Sequence, residues 1–185
     1  EGENIDRVIK KEEENTDNSD FWVKSEKGAV SIIPFKFKTF LETHGFYKYT
    51  PDGSNNYIFI RIKSNRIDNT TDDLIKDYVL NYLLEMDDLS IYNHFAERTK
   101  YFKEDFLSLL SYKKIHFIED TPNKSYLYYS NVALEVTKDK ITKIPYDDLQ
   151  GFVWKDQMIK RNFGSIWLKK IFIIEFWQDL YYFLS

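Results

Sequence analysis

Residues 113–154, KKIHFIEDTPNKSYLYYSNVALEVTKDKITKIPYDDLQGFVW, alternate short apolar runs with turn signals such as Asp-Thr-Pro-Asn and Lys-Asp-Lys. The runs predict four short strands joined by tight turns, over residues 115–119, 126–130, 132–137 and 141–144. Nothing in the stretch has the spacing of a catalytic motif. The central part of the chain is therefore expected to form a β-meander without built-in chemistry.

The N-terminal side of this meander alternates hairpin and helix signals. Hairpin strands are predicted over 21–23 with 29–33 and over 46–50 with 56–63. Residues 65–71 look like a polar connection, after which Thr70 and Asp73 fit a capping box. Helices are predicted, in chain order, over residues 34–44, 72–83, 91–96 with Ser90 as its cap, and 103–112, and an amphipathic helix follows over 147–163. The sequence thus predicts an α+β fold, with an antiparallel sheet made from the hairpins and the meander and about three helices packed on one face.

Length and composition limit the number of domains and the class of protein. A chain of 185 residues with 43% hydrophobic content can bury one core. Aromatic residues make up 18% of the chain, which favours core and sheet faces and leaves open a base-stacking or partner surface. No cysteine is present, so disulfides and thiolate metal sites are excluded. Without a visible secretory signal or an uninterrupted apolar span, the expected location is the cytoplasm, with no membrane insertion.

Charge and hydropathy divide the chain into three parts. Residues 1–20 carry eight acidic and three basic residues, a net charge of −5, and form a flexible lead-in. Residues 21–163 form one α+β domain of nearly neutral charge, which argues against a dedicated duplex-DNA binder. Residues 164–185 form an apolar helical segment that needs a protein surface, either its own core or a partner. The candidate interface residues there are Trp167, Ile171, Phe172, Ile174 and Trp177.

Motifs for nucleotide or metal chemistry are not found in the sequence. The six glycines lie far apart, so no phosphate-binding loop is predicted, and no cofactor is expected. The three histidines have no ligand-type neighbour at helical spacing, so no metal site is predicted. Adjacent acid pairs could serve a two-metal nuclease, but a helix start or a turn is the simpler explanation of each pair. The pairs stand at Asp72-Asp73, Asp87-Asp88, Glu119-Asp120 and Asp147-Asp148.

Basic residues with interleaved aromatic residues give a stronger signal. Such residues can follow a single-stranded phosphate backbone while aromatic rings stack on bases, although a solvated helix face would have the same pattern. The candidate nucleic-acid-binding residues are Arg61, Lys63, Trp154, Lys155, Lys160 and Arg161.

A series of aromatic and turn residues resembles a known family. The series comprises Phe21-Trp22, Phe40-Leu41, Gly45-Phe46, Arg61, Asn65, Asp120-Thr121, Tyr128-Tyr129-Ser130-Asn131, Val136-Thr137, Tyr146-Asp147-Asp148-Leu149 and Val153-Trp154. It resembles the region just ahead of the helicase in phage and mobile-element primase-helicases of superfamily 3, most of all those of Bacteroides-type genomes and their phages. The resemblance covers residues 21–163. It rests on loose signatures that carry no chemistry.

The resemblance implies an accessory module for DNA replication. It implies an isolated part of a longer primase/ATP-dependent helicase, inactive by itself, that handles single-stranded DNA or assists assembly with a helicase domain. The alternative hypothesis is a protein-interaction domain that self-associates through residues 164–185 and binds no nucleic acid.

Overall fold

The computed structural model describes residues 20–86 and 88–164. The acidic lead-in before residue 20, Asp87 and the apolar segment from residue 165 lie outside the described residues. The candidate interface residues Trp167, Ile171, Phe172, Ile174 and Trp177 are among them. Within the described chain, the range expected as one domain divides into two compact units. The first comprises residues 20–63 and 67–115, and the second comprises residues 64–66 and 116–164.

The first unit combines hairpins with helices. Its elements are β1 (Trp22–Lys24), β2 (Val30–Ile32), α1 (Pro34–Thr43), β3 (Phe46–Tyr49), β4 (Ile58–Lys63), β5 (Arg66–Thr70, whose first residue belongs to the second unit), α2 (Asp72–Leu84), α3 (Leu89–Glu97), a 3₁₀ turn (Thr99–Phe102) and α4 (Glu104–Leu107). Strands β1 and β2 pair antiparallel, as do β3 and β4, with Phe46 opposite Arg61. The α+β class with antiparallel sheets is confirmed.

Aromatic side chains form the core of the first unit. Phe21, Phe37 and Phe95 are at most 1% exposed, and their ring centroids lie 5.0 to 6.4 Å apart. Rings at these distances add specific edge and face contacts to the burial of apolar area, which contributes about 1.5–3 kcal/mol per large side chain. Most of the high aromatic content of this unit is therefore used in packing.

Local signals position the helices of this core. Pro34 occupies the first turn of α1, where no N–H partner is required. Gly45 follows α1 with φ 89°, and a Cβ there would lie 2.1 Å from the Ile62 carbonyl oxygen, so only glycine fits. The Thr71 hydroxyl caps α2 by accepting the Leu74 N–H at 3.3 Å. The predicted cap, Thr70, is one residue too early.

The second unit contains a three-stranded antiparallel sheet in the order β6-β7-β8. Its elements are β6 (Lys124–Tyr128), β7 (Ala133–Thr137), β8 (Ile141–Ile144), a 3₁₀ turn (Tyr146–Asp148), β9 (Val153–Trp154) and a 3₁₀ turn (Lys155–Gln157). Tyr126 pairs with Glu135, which pairs with Thr142. Three of the four predicted strands of the meander are therefore present, with ends shifted by at most two residues, whereas the strand expected over residues 115–119 is limited to an isolated β-bridge between Phe117 and Phe152. Its strands form a sheet of their own instead of joining the N-terminal hairpins.

The two faces of this sheet differ, because neighbouring residues of a strand point to opposite sides. Lys143 and three buried residues, Leu127, Tyr129 and Leu134, lie on the side we call the basic face, where Ile159 and Phe163 pack against them. The other side, the acidic face, carries Tyr126, Tyr128, Ala133, Glu135 and Ile144, and the cluster that covers it includes Tyr146, Leu149, Val153 and Met158.

Three further predictions of secondary structure are wrong. Residues 147–163 form two 3₁₀ turns and a short strand instead of a helix, because Phe152 exchanges backbone hydrogen bonds with His116 and Ile118. The polar connection after residue 65 is strand β5, which continues the hairpin from β4. The helix expected over 103–112 is limited to Glu104–Leu107, since the backbone of Lys48 pairs with Ser111 and Lys113. The first and the third error reflect backbone partners that are distant in sequence.

Candidate nucleic-acid interface

The predicted basic residues divide between the two units. Arg61 and Lys63 belong to strand β4 of the first unit, and Trp154, Lys155, Lys160 and Arg161 belong to the second. Because each unit is a separate compact body, each group must be assessed within its own unit.

Arg61 is bound into the first unit. Its guanidinium carbon lies 4.2 Å from the ring centre of Tyr78 and 4.9 Å from that of Phe46. Its Nε donates to the His44 carbonyl at 3.3 Å, at the C-terminal end of α1. Cation–π contacts and a helix-end carbonyl already use much of the binding capacity of this side chain. Lys63, at the end of β4, is exposed.

In the second unit, the segment after β9 runs along the β6 edge of the sheet. The Ile159 N–H donates to the Tyr128 carbonyl at 2.7 Å, and the Ser130 N–H donates to the Arg161 carbonyl at 3.0 Å. Asn131 then holds Phe163 twice, by accepting its N–H at 2.8 Å and donating to its carbonyl at 3.3 Å. The backbone that carries Lys160 and Arg161 is thus fixed against the basic face.

Two cations converge on an aromatic pair at this face. The rings of Tyr129 and Phe163 meet edge to face with their centres 5.2 Å apart. The Arg161 guanidinium carbon lies 5.9 Å from the Tyr129 ring centre, and Lys143 Nζ lies 4.9 Å from the Phe163 ring centre. Lys160, next to Arg161 in the chain, is exposed. Lys143, Lys160, Arg161 and Phe163 constitute what we call the basic patch.

Lys143 was not among the residues predicted from the sequence. The pattern of β8, Ile-Thr-Lys-Ile, places it on the same side as Ile141 and opposite to Ile144. That alternation could have indicated that Lys143 lies on the face of β8 opposite to Ile144. Only the structure shows that the C-terminal segment brings Arg161 to the same side.

Trp154 lies apart from the basic patch. Its ring stacks on Phe117 with centres 5.7 Å apart and planes inclined by 26°. The adjacent Lys155 begins a 3₁₀ turn and is exposed. One face of the indole is therefore covered by protein, which leaves at most the other for stacking on a base.

The acidic residues of these pairs that the structure describes lie at helix starts, in a 3₁₀ turn or in a loop. Asp72 and Asp73 begin α2. Asp88 caps α3 by accepting the Ser90 N–H at 2.9 Å and pairs with Lys24 at 2.7 Å. These bonds from Lys24 and Ser90 lower the pKa of Asp88 to about 2. The expected cap of α3, Ser90, is wrong, because Asp88 takes that place. Asp120 accepts the Tyr126 N–H at 2.9 Å.

No cluster of three or more His, Cys, Asp or Glu with the geometry of a metal site occurs within residues 20–86 and 88–164. His44 binds the Phe40 carbonyl through Nδ1 at 2.7 Å. His94 Nε2 is buried without a hydrogen-bond partner among the described residues. Burial and the neighbouring Arg98 lower the pKa of His94, so its ring stays neutral in the folded unit near neutral pH.

Residues that carried the family resemblance meet within the second unit. Asn65 Nδ2 donates to the carbonyls of Tyr146 and Leu149, both at 3.0 Å, and to that of Asp147 at 3.4 Å. The Val153 N–H donates to the Asn65 carbonyl at 3.1 Å. Asn65 and the preceding Ser64 have φ values of 55° and 51°, which are typical of the two-residue turn between β4 and β5. These signature residues thus contribute hydrogen bonds that stabilise the second unit.

Comparisons with known proteins found no match: no protein-family model, curated protein or solved structure is significantly similar to this chain. Across residues 20–86 and 88–164, the helices are too short and too polar for any of them to cross a membrane.

Proposed function

We propose that this chain is a non-catalytic DNA-handling module that contacts single-stranded DNA through the basic patch, within a phage-type primase-helicase of the cytoplasm. The observation that carries the proposal is the convergence of Lys143 and Arg161 on the Tyr129–Phe163 pair. The family assignment rests on the sequence resemblance described above.

The patch suits a flexible polyanion better than a small anion. Lys143, Lys160 and Arg161 are all exposed, and they extend from a strand and from the segment beside it. Phe163 is half-buried beside Lys143, and the exposed part of an aromatic ring is a surface on which a base can stack. Three phosphate contacts to a single strand predict a slope of about −2 when log K is plotted against log salt concentration, since each contact contributes roughly −0.7.

The decisive experiment is a fluorescence-anisotropy titration of labelled oligothymidylate at low and physiological salt. The triple variant Lys143→Ala, Lys160→Ala, Arg161→Ala should lose most of the low-salt affinity. A control with the same net charge, Lys27→Ala, Lys103→Ala, Lys138→Ala, removes three exposed lysines outside the patch and should retain it. Equal binding by both triple variants would contradict the assignment of the patch, provided that circular dichroism shows both to be folded.

The competing proposal, a self-associating interaction domain, is tested on the same samples. Light scattering of the full chain and of a chain ending at Gly164 separates the two proposals. A concentration-dependent mass that disappears on truncation, together with no DNA binding at low salt, would favour the interaction domain.

A further inference from the structure

The acidic face of the second unit contains a cleft that the proposed DNA contact does not use. Its volume is about 410 Å³, within the range of roughly 300–1,000 Å³ that is typical of small-molecule sites. The strands β6, β7 and β8 supply its floor, and two segments, residues 116–119 and 148–150, supply its walls. The basic patch lies on the opposite face of the same sheet.

A fixed polar network forms the floor. Glu135 Oε2 accepts hydrogen bonds from Lys124 Nζ at 3.0 Å and from the Tyr126 hydroxyl at 3.1 Å. The rings of Tyr126 and Tyr128 are parallel within 4°, with centres 6.2 Å apart. The hydrogen bond from Lys124 outweighs desolvation and lowers the pKa of Glu135, so this carboxylate is ionised near neutral pH. Lys124 is thereby neutralised by a neighbour instead of being available to an anion.

The walls add uncompensated negative charge and apolar surface. Glu119 and Asp148 line the cleft, and the carboxylate of neither makes a hydrogen bond or ion pair with another side chain of the described chain. The lining therefore holds three carboxylates against one ammonium group, with the His116 ring beside them. Phe117, Ile118, Ile144 and Leu149 supply the apolar part.

We infer that this cleft binds a small organic cation, an ammonium or guanidinium group on a short apolar arm. The net negative lining attracts a cation, and the apolar walls fit methylene groups. An anion would meet Glu119 and Asp148. The carboxylates are too dispersed to hold a metal ion, because no cluster of metal-site geometry includes them within residues 20–86 and 88–164.

This cation could be a free amine or the side chain of a peptide, and two probes distinguish these sources. The first probe is 1,5-diaminopentane, and the second is N-acetyl-lysine N-methylamide. N-acetyl-norleucine N-methylamide has the same apolar arm without the ammonium group and serves as the neutral control. Binding is followed through backbone amide shifts of the full chain in two-dimensional NMR spectra.

We expect saturable shifts at residues 116–119, 124–126 and 148–150 with at least one cationic probe and none with the neutral control. The double variant Glu119→Gln, Asp148→Asn should weaken binding by about tenfold or more, because it removes both unpaired charges. Asp139→Asn, in the exposed β7–β8 turn, changes a carboxylate outside the cleft and should leave binding unchanged.

Three results would overturn the inference: equal binding of the norleucine derivative, unchanged affinity in the double variant, or no saturable shifts with any cationic probe at millimolar concentration. Stronger binding of the diamine would identify a free amine as the ligand class, and stronger binding of the lysine derivative would identify a peptide side chain. The test is independent of DNA binding, since no basic-patch residue is altered.

Discussion

The two faces of the β6-β7-β8 sheet are built from the same three strands but present opposite charge. On β8, Lys143 contributes a cation to one face while its neighbour Ile144 lines the acidic cleft on the other. On β7, Leu134 is buried under the basic face and Glu135 lies in the cleft. A strand period of two residues is thus sufficient to separate an anion-attracting surface from a cation-attracting one across a single sheet.

The largest effect is expected from removing the packing that supports the basic face. Leu134 is 1% exposed and contacts the cluster of Leu127 and Tyr129. Leu134→Ala should lower the free energy of unfolding by about 2–5 kcal/mol, because a cavity remains where the side chain was. Urea denaturation measures the change. Leu109→Ala, at a side chain that is 44% exposed, is the control and should cost far less.

A smaller effect is expected from the turn that supports the acidic face. Asn65→Gly keeps the freedom to adopt positive φ but removes the side-chain donations to Tyr146, Asp147 and Leu149. The free energy of unfolding should fall by about 1–3 kcal/mol, since half-buried carbonyls lose their donor. Asn65→Ala should cost more than Asn65→Gly, because alanine disfavours φ near 55°. Equal stability of Asn65→Gly and the unaltered chain would show that water replaces these bonds.

Reversing the charge of Lys143 tests whether DNA binds at the basic face of the sheet. Lys143→Glu should weaken binding to oligothymidylate several-fold at low salt and reduce the magnitude of its salt slope by roughly 0.7, as expected for the loss of one phosphate contact. Lys138→Glu makes the same charge change at the exposed β7–β8 turn and should have a smaller effect. Anisotropy titrations at several salt concentrations measure both. Identical slopes for the two variants would place the DNA contact away from the basic face.

The smallest expected effect is a pH dependence confined to the acidic face. The folded-state pKa of Glu135 lies below its ordinary value of 4.5, so its ion pair stabilises the unit above that pH. This stabilisation should be lost as pH falls through the lower, folded-state pKa. The Glu135→Gln variant lacks this ion pair. The difference in the free energy of unfolding between the variant and the unaltered chain should therefore shrink as the pH falls. Thermal unfolding at a series of pH values checks this, and a constant difference would contradict it.

Much of this arrangement follows from local sequence patterns. Alternation in residues 126–144 predicts the meander, and helical spacing from residue 72 onward predicts α2. The helix predicted over residues 147–163 fails for a physical reason. Met158 packs on the acidic face, whereas Phe163 packs on the basic face, because the segment passes around the sheet edge. Pairing between Phe152 and His116 leaves no local periodic signal.

The candidate site was predictable only in part. Lys160 and Arg161 were identified from a charge-rich segment, and they do lie beside exposed Lys143 and half-buried Phe163. Arg61 has the same sequence appearance, yet its guanidinium packs between Phe46 and Tyr78. A basic residue near aromatic residues in the sequence can therefore be either exposed on the surface or packed against aromatic rings. Tertiary packing determines which of the two occurs.

The position of Asn65 has a consequence for the order in which the protein is made. Its carbonyl partner at Leu149 is 84 residues further along the chain. At a synthesis rate of roughly 5–20 residues per second, the asparagine is made about 4 to 17 s before that partner. During this interval its side-chain amide can bind only water or non-native partners. The second unit therefore completes its hydrogen bonding late in translation. Residues 116–164 expressed alone would lack the side-chain amide of Asn65, which is normally synthesised before them.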